Sequence, residues 1–302
     1  GFFRAFGILK YEAYISAVDR MASSLLGIGL LVIGFGLISI FFSASIISIG
    51  ASLIGFYILK KKFISAPVYS LDYTFNRKIL KDATPLLLLA VFSVIYFQIN
   101  IILLSFMKGD EAVGFYSAVF RLLSLFQFIP GAVVGVLLPL MSQQFIKKDR
   151  ELVKSLAKGI RYMFLLGTVA SLLTFFFADR IVEVLYSYQY RSAAPALRIL
   201  IFSLPLYLVN PILGYFLIAC NRQKLPFLSV AVTSLVSVVS GILLIPLYSF
   251  TGAAVAALLS EGFLFLLQGA FSLRLIASFN RLCEKPLLSF VPLDIVEKET
   301  IQ

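Results

Sequence analysis

Histidine and tryptophan are absent from the 302 residues, cysteine occurs twice, and charged residues make up only 14% of the chain. Without histidine there is no His-based catalytic triad, His metal site or imidazole proton relay, and no cofactor is expected. Cys220 and Cys283 both fall near the more basic ends of apolar stretches. That placement does not point to a disulfide. No run of the G-x-x-x-x-G-K-[ST] type occurs, so no nucleotide-driven motor is legible. No signal peptide is expected in the opening residues of the given sequence. It starts at Gly1 rather than Met, in a basic, partly polar stretch, and the expectation is that an upstream portion is missing.

What is present is apolar: 60% hydrophobic residues and a mean hydropathy of +0.99. A soluble domain of that composition would have too little polar surface, so a bilayer is the solvent that fits. Eight apolar spans are read, at residues 21–42, 43–59, 85–107, 112–141, 162–178, 197–220, 225–250 and 252–273. Most reach the roughly 20 residues that carry a helix across about 30 Å of hydrocarbon. Barrel strands would be short and alternating, whereas these runs are long and unbroken. The fold class expected is an all-α, polytopic bundle of eight transmembrane helices.

The basic residues gather in every second gap. Arg4, Lys10 and Arg20 precede the first span, and Lys60, Lys61, Lys62, Arg77, Lys78 and Lys81 follow the second. Lys147, Lys148, Arg150, Lys154, Lys158 and Arg161 follow the fourth, Arg222 and Lys224 the sixth, and Arg274, Arg281, Lys285 and Lys298 the last. Lys and Arg accumulate on cytoplasmic loops, so these ends and the C-terminus are expected in the cytoplasm and the chain in the inner membrane. This placement explains the net charge of +11 without nucleic acid, which would draw the cations onto one soluble face.

The stretch 75–141 carries a family resemblance. Its third span leads into "GDEAVGFYSAVFRL" and then "IPGAVVGVLLPLMS", followed by a basic return; later come "SLPLYLVNPILGYFLIACNRQKLPF" and "GAAVAALLSEGFLF". These pieces resemble the polysaccharide (O-antigen type) flippases of bacteria and archaea. That family belongs to the multidrug/oligosaccharidyl-lipid/polysaccharide exporter superfamily, with the multidrug and toxin extrusion exporters and the lipid II flippase. The resemblance implies twelve or more helices in two six-helix lobes related by a pseudo-two-fold along the membrane normal. Residues 1–62 would then be the last two helices of an N-terminal lobe, lacking its first four. Residues 63–83 would form a basic cytoplasmic loop between lobes, 84–285 a six-helix C-terminal lobe, and 286–302 a cytoplasmic tail.

Candidate site residues are sought where polarity is costly. Arg121 is read as the one basic residue well inside a span and Glu261 as the one carboxylate, each nine residues in, or about 14 Å. On the fourth span Ser117, Arg121 and Ser124 share a face by their i, i+4, i+7 spacing. Gln98 and Asn100 fall at a similar depth but about 200° apart, so one lines a cavity and the other bonds within the bundle. Asn210 lies between Pro205 and Pro211, where a helix bends and frees carbonyls. Substrate contact is one reading of these residues. The others are an Arg121–Glu261 ion pair or a helix-end role for Arg121, and interhelical hydrogen bonding for Asn210, Gln98, Gln127 and Gln268. Gly131 and Gly135, and the cluster Gly252, Ala253, Ala254, Ala256 and Ala257, are expected to allow close helix approach.

The leading expectation is a transporter that moves a lipid-linked oligosaccharide outward by alternating access, Arg121 compensating the anionic diphosphate headgroup and a gradient supplying energy. Membrane lipids and the polysaccharide assembly machinery are its expected partners. A cation-coupled multidrug exporter is the alternative within transport. From other classes come a membrane enzyme using Asp179, Arg180, Glu183 and Arg191 on the largest outer gap, 179–195, and a scaffold of polysaccharide assembly.

Overall fold

Long apolar runs form helices in lipid because only a helix satisfies its own backbone there. The computed structural model describes residues 9–62 and 73–284, without side chains at a few helix ends, and these residues are helical with no strand among them. The helices are α1 (Leu9–Val32), α2 (Leu37–Lys62), α3 (Tyr73–Lys108), α4 (Asp110–Ser124), α5 (Phe128–Ile146), α6 (Glu151–Tyr186), α7 (Ala194–Ile201), α8 (Leu204–Ala219) and α9 (Lys224–Glu284). The chain divides into two compact units, Gly1–Tyr73 and Thr74–Gln302. Residues 63–72 and the tail 286–302 lie outside the described residues. From Tyr73 onward the expected loop 63–83 is helix.

The first unit is a helical hairpin. Its turn is at residues 33–36, where Gly34 takes a φ of +94°, and not at the 42/43 boundary expected. A left-handed φ suits glycine, and the Gly34-Phe35-Gly36 sequence was the signal that an unbroken apolar run concealed. The shift carries Asp19 and Arg20 into α1, whose apolar span runs Tyr14–Val32. Ser48 Oγ on α2 donates to Asp19 Oδ1 at 3.0 Å, fixing the register of the pair.

The second unit is built around the bent pair α7–α8. These two helices meet at 43°, and Leu197, Leu200, Ile201, Leu204, Leu208, Ile212 and Leu217 are fully buried along them. Pro195 and Pro205 each stand in a first helical turn, where the missing N–H has no helical partner in any case. At the bend Ser171 Oγ of α6 donates to the Ile201 carbonyl at 2.8 Å. A Cβ at Gly167 of α6 would lie 2.6 Å from Pro205 Cα, so only glycine lets the helices come this close.

Among the described residues six helices are long and apolar enough to cross a membrane, seven with the bent pair counted as one span. The last of the six, Lys224–Phe279, is 56 residues long and is broken at Ser249 (φ 51°, ψ −133°). A Cβ at Gly252 would sit 2.3 Å from the Leu244 carbonyl oxygen, which is possible only if the chain has turned back on itself. The two arms of α9, 224–248 and 250–284, are therefore antiparallel spans, and the expected eight are all present. Span four is α4 and α5 joined by a 3₁₀ turn at Leu125–Gln127. Pro130 accounts for that turn, since its ring opposes the carbonyl four residues back. Pro139 is accommodated within α5.

Ala253, Ala254 and Ala256 are fully buried, as close packing requires. Gly131 and Gly135 are exposed, and a Cβ at either would meet nothing within 4 Å. Their expected packing role is not seen among the described residues. The gap 179–195 is largely helix, since α6 runs on to Tyr186 and a 3₁₀ segment covers Tyr188–Ala193. Asp179 pairs there with Arg198, leaving little loop for an outer catalytic site.

Candidate functional site

Arg121 and Glu261 each lie eleven residues from the turn at the less basic end of their helices, Arg121 from Asp110 on α4 and Glu261 from Phe250 on α9, or about 17 Å along each helix. That is the middle of the hydrocarbon, deeper than the outer half expected. At one depth the two residues have opposite surroundings. Glu261 is 5% exposed, whereas Arg121 is on the surface of the unit.

Around Glu261 three elements bring polar groups together. Asn210 of α8 donates through Nδ2 to Glu261 Oε2 at 2.6 Å, and the same nitrogen lies 3.2 Å from the Glu261 carbonyl oxygen. Tyr96 of α3 lines the same cavity as the Glu261 carboxyl. One turn along α3, Asn100 Nδ2 reaches Ser237 Oγ on the first arm of α9 at 3.4 Å, with Tyr116 beside them in the cavity wall. Gly241 makes this approach possible, since a Cβ there would lie 2.7 Å from Leu103 Cδ1 and 3.1 Å from Asn100 Oδ1. A cavity of about 20 Å³ lies among Tyr96, Asn100, Tyr116, Tyr207, Ser237 and Glu261, room for about one water-sized occupant.

This cluster is rich in acceptors and poor in positive charge. The buried oxygens Asn100 Oδ1 and Asn210 Oδ1 have no hydrogen-bond donor, and neither has Gln268 Oε1 two turns beyond Glu261. Among the described residues no Lys or Arg forms an ion pair with Glu261, so the Arg121–Glu261 pair held open by the sequence is not formed. Neither is there a group of three or more His, Cys, Asp or Glu that could hold a metal ion. A buried carboxylate is stable when its charge is balanced and its oxygens are bonded. Here hydrogen bonds meet the second need, and the charge is left for a proton or a small cation.

Arg121 belongs to a different surface. It occupies the last turn of α4, before the 3₁₀ turn, and pairs with no carboxylate among the described residues. Ser117 is half-buried beside it, and Ser124 Oγ donates to the Arg121 carbonyl at 2.8 Å. Phe120 and Leu123, on neighbouring faces of the same helix, line the Glu261 cavity while Arg121 does not. Gln98 is exposed where Asn100 is buried, as their angular separation requires. The seven expected site residues thus fall into two groups: Glu261, Asn210 and Asn100 inside the bundle, and Arg121, Ser117, Ser124 and Gln98 off that core. The sequence reading missed Tyr96, Tyr116, Tyr207 and Ser237. Tyr96 stands one turn from Asn100, a spacing that would have found it.

The family described as MatE matches residues 85–247, more than half of the chain and including most of this cluster. The chain belongs to the MatE family. A second description, Polysaccharide biosynthesis protein, matches residues 1–145 of this MatE-family chain, Arg121 included. An uncharacterized membrane protein of Methanocaldococcus jannaschii is 26% identical over 229 residues, covering 72% of this chain and 43% of the relative. Among solved structures, a MATE transporter of Vibrio cholerae, VcmN, superimposes with a TM-score of 0.72 at 15% identity, covering 91% of this chain and 64% of its own. The lipid II flippase MurJ, in an inward closed conformation, gives 0.66 at 18% identity, covering 91% and 59%. At such identities the likeness is one of fold. The chain spans less than two thirds of the length of each of these relatives.

Proposed function

We propose that this MatE-family protein exports a lipid-linked oligosaccharide across the inner membrane by alternating access, with its basic ends and C-terminus in the cytoplasm, and is not an enzyme. The observation that carries the reading is Arg121: an arginine at mid-membrane depth, exposed on the unit's surface and unpaired among the described residues. A guanidinium at that depth requires water or an anion, and a diphosphate headgroup offers bidentate acceptors. The match to Polysaccharide biosynthesis protein over residues 1–145 supports a lipid-linked sugar as cargo. Ser117, Ser124 and Gln98 would contact the sugar or headgroup beside it. The Glu261 cluster would take the coupling ion, since its acceptor-rich core lacks a cationic side chain of its own among the described residues.

The test is complementation of a strain lacking its own flippase by the full-length protein carrying Arg121→Ala or Arg121→Lys. Surface polysaccharide should fall by about 10- to 100-fold in the Ala variant, the loss of one charge-assisted pair, and less in the Lys variant. Unchanged polysaccharide at equal expression sinks the assignment. Glu261 favours a second reading, a cation-coupled exporter of amphiphilic compounds. Under it Arg121→Ala would leave drug resistance intact and Glu261→Gln would abolish it.

A further inference from the structure

Away from the Glu261 core, a cleft of about 900 Å³ opens at the end of the second unit where basic residues accumulate. Pro85 of α3, Arg222 and Lys224 at the α8–α9 junction, and Phe271, Arg274 and Leu275 on the second arm of α9 line it, with no carboxylate among the described lining residues. None of the three cations forms an ion pair among the described residues.

Depth identifies what the cleft faces. Lys224 and Arg274 each lie 25 residues from the turn at Ser249, and Pro85 lies 24 from the turn at Gly109. Along the helices these are about 36 to 38 Å, beyond about 30 Å of hydrocarbon and within the headgroup layer. Phe271 lies a turn closer to the hydrocarbon, so the cleft has an apolar wall on the acyl side and three cations at headgroup level. A soluble anion would make no use of that wall.

We propose that this cleft is a binding site for an anionic phospholipid of the cytoplasmic leaflet, its phosphate held by Arg222, Lys224 and Arg274 and its upper acyl chain lying on Phe271. Basic recesses between helices at this level select lipids by net negative charge. The site does not depend on what the protein transports, since Arg121 and Glu261 take no part in it.

The experiment is lipid titration of the purified full-length protein followed by native mass spectrometry. Phosphatidylglycerol should be retained and phosphatidylcholine, which carries the same phosphate but no net charge, should not. Arg222→Gln and Arg274→Gln should each weaken phosphatidylglycerol binding about fivefold, together about 25-fold, and raised salt should weaken the wild type. Arg222→Lys with Arg274→Lys should retain most of the binding, which separates lost charge from a damaged fold. Equal retention of both lipids, or undiminished binding in the double Gln variant, overturns the proposal. So does inorganic phosphate displacing the lipid at equal concentration, which would mark a site for a soluble anion. Neutralising the chain's own acidic tail, by Asp294→Asn, Glu297→Gln and Glu299→Gln, should change nothing. A gain in lipid retention there would mean that the tail fills the cleft, and would also overturn it.

Discussion

Arg121 and Glu261 occupy the same depth in the same unit, yet the fold encloses one and leaves the other on its surface. The difference separates two ways of keeping a charge in a membrane. Glu261 is held by the protein itself, through Asn210 from α8, so its substitution should register first as lost stability. Arg121 has no such support among the described residues. Its energy depends on a molecule outside the unit, so its substitution should register as lost activity with the fold intact.

The sharpest way to break this contrast is to exchange the readouts. Arg121→Ala should lower transport by about 10- to 100-fold while the melting temperature in detergent stays within the scatter expected of a surface change, about 0.5 kcal/mol. A large loss of stability would mean that Arg121 is structural after all. Glu261→Ala should destabilise by about 1–3 kcal/mol, measured by reversible unfolding in detergent, because the Asn210 amide is left buried without its carboxylate acceptor. Glu261→Gln keeps an acceptor oxygen and should lose less stability than Ala, while removing any dependence of transport on the ion gradient. Gly241→Ala should destabilise by about 1–2 kcal/mol, since the new methyl meets Leu103 and Asn100 inside normal contact distance. Transport by that variant should fall only as far as folded protein does. The smallest effect is expected for Ser124→Ala. Its hydroxyl bonds back to the Arg121 carbonyl, and both stability and transport should stay within about 0.5 kcal/mol or twofold.

Much of the layout was legible in advance, and the errors have physical causes. The eight spans followed from length and hydropathy alone. The first turn was misplaced because residues 21–59 are apolar throughout, and a polar boundary was sought at Ser43 when the determinant was a glycine with positive φ at Gly34. That error hid Asp19, which the structure places inside α1 and bonds to Ser48. Gly131 and Gly135 have the small-residue spacing of a packing motif and yet meet nothing, because spacing defines a face without supplying a neighbour. Pro130 distorts its span upstream, at Leu125–Gln127, where the opposed carbonyl lies.

The candidate site was legible as a depth but not as a set of contacts. Counting residues from the turns found a polar layer with Asn100 and Glu261 at about 10 to 14 Å, shallower than the fold places it, and the flanking prolines marked Asn210; the fold brings these three residues together. Counting did not separate them from Arg121. In a soluble helix an amphipathic stripe reveals which face is inward. Here lipid-facing and core-facing surfaces are equally apolar, so that signal is missing.

By itself, then, the sequence determined the solvent, the number of crossings, the basic side and the layer that Arg121 and Glu261 share, because these depend on composition counted along one dimension. Only the tertiary structure decided which charge is enclosed. That choice depends on the bend at α7–α8, the reversal at Ser249 and the close approach at Gly241, which bring residues as far apart as Asn100 and Ser237 into contact.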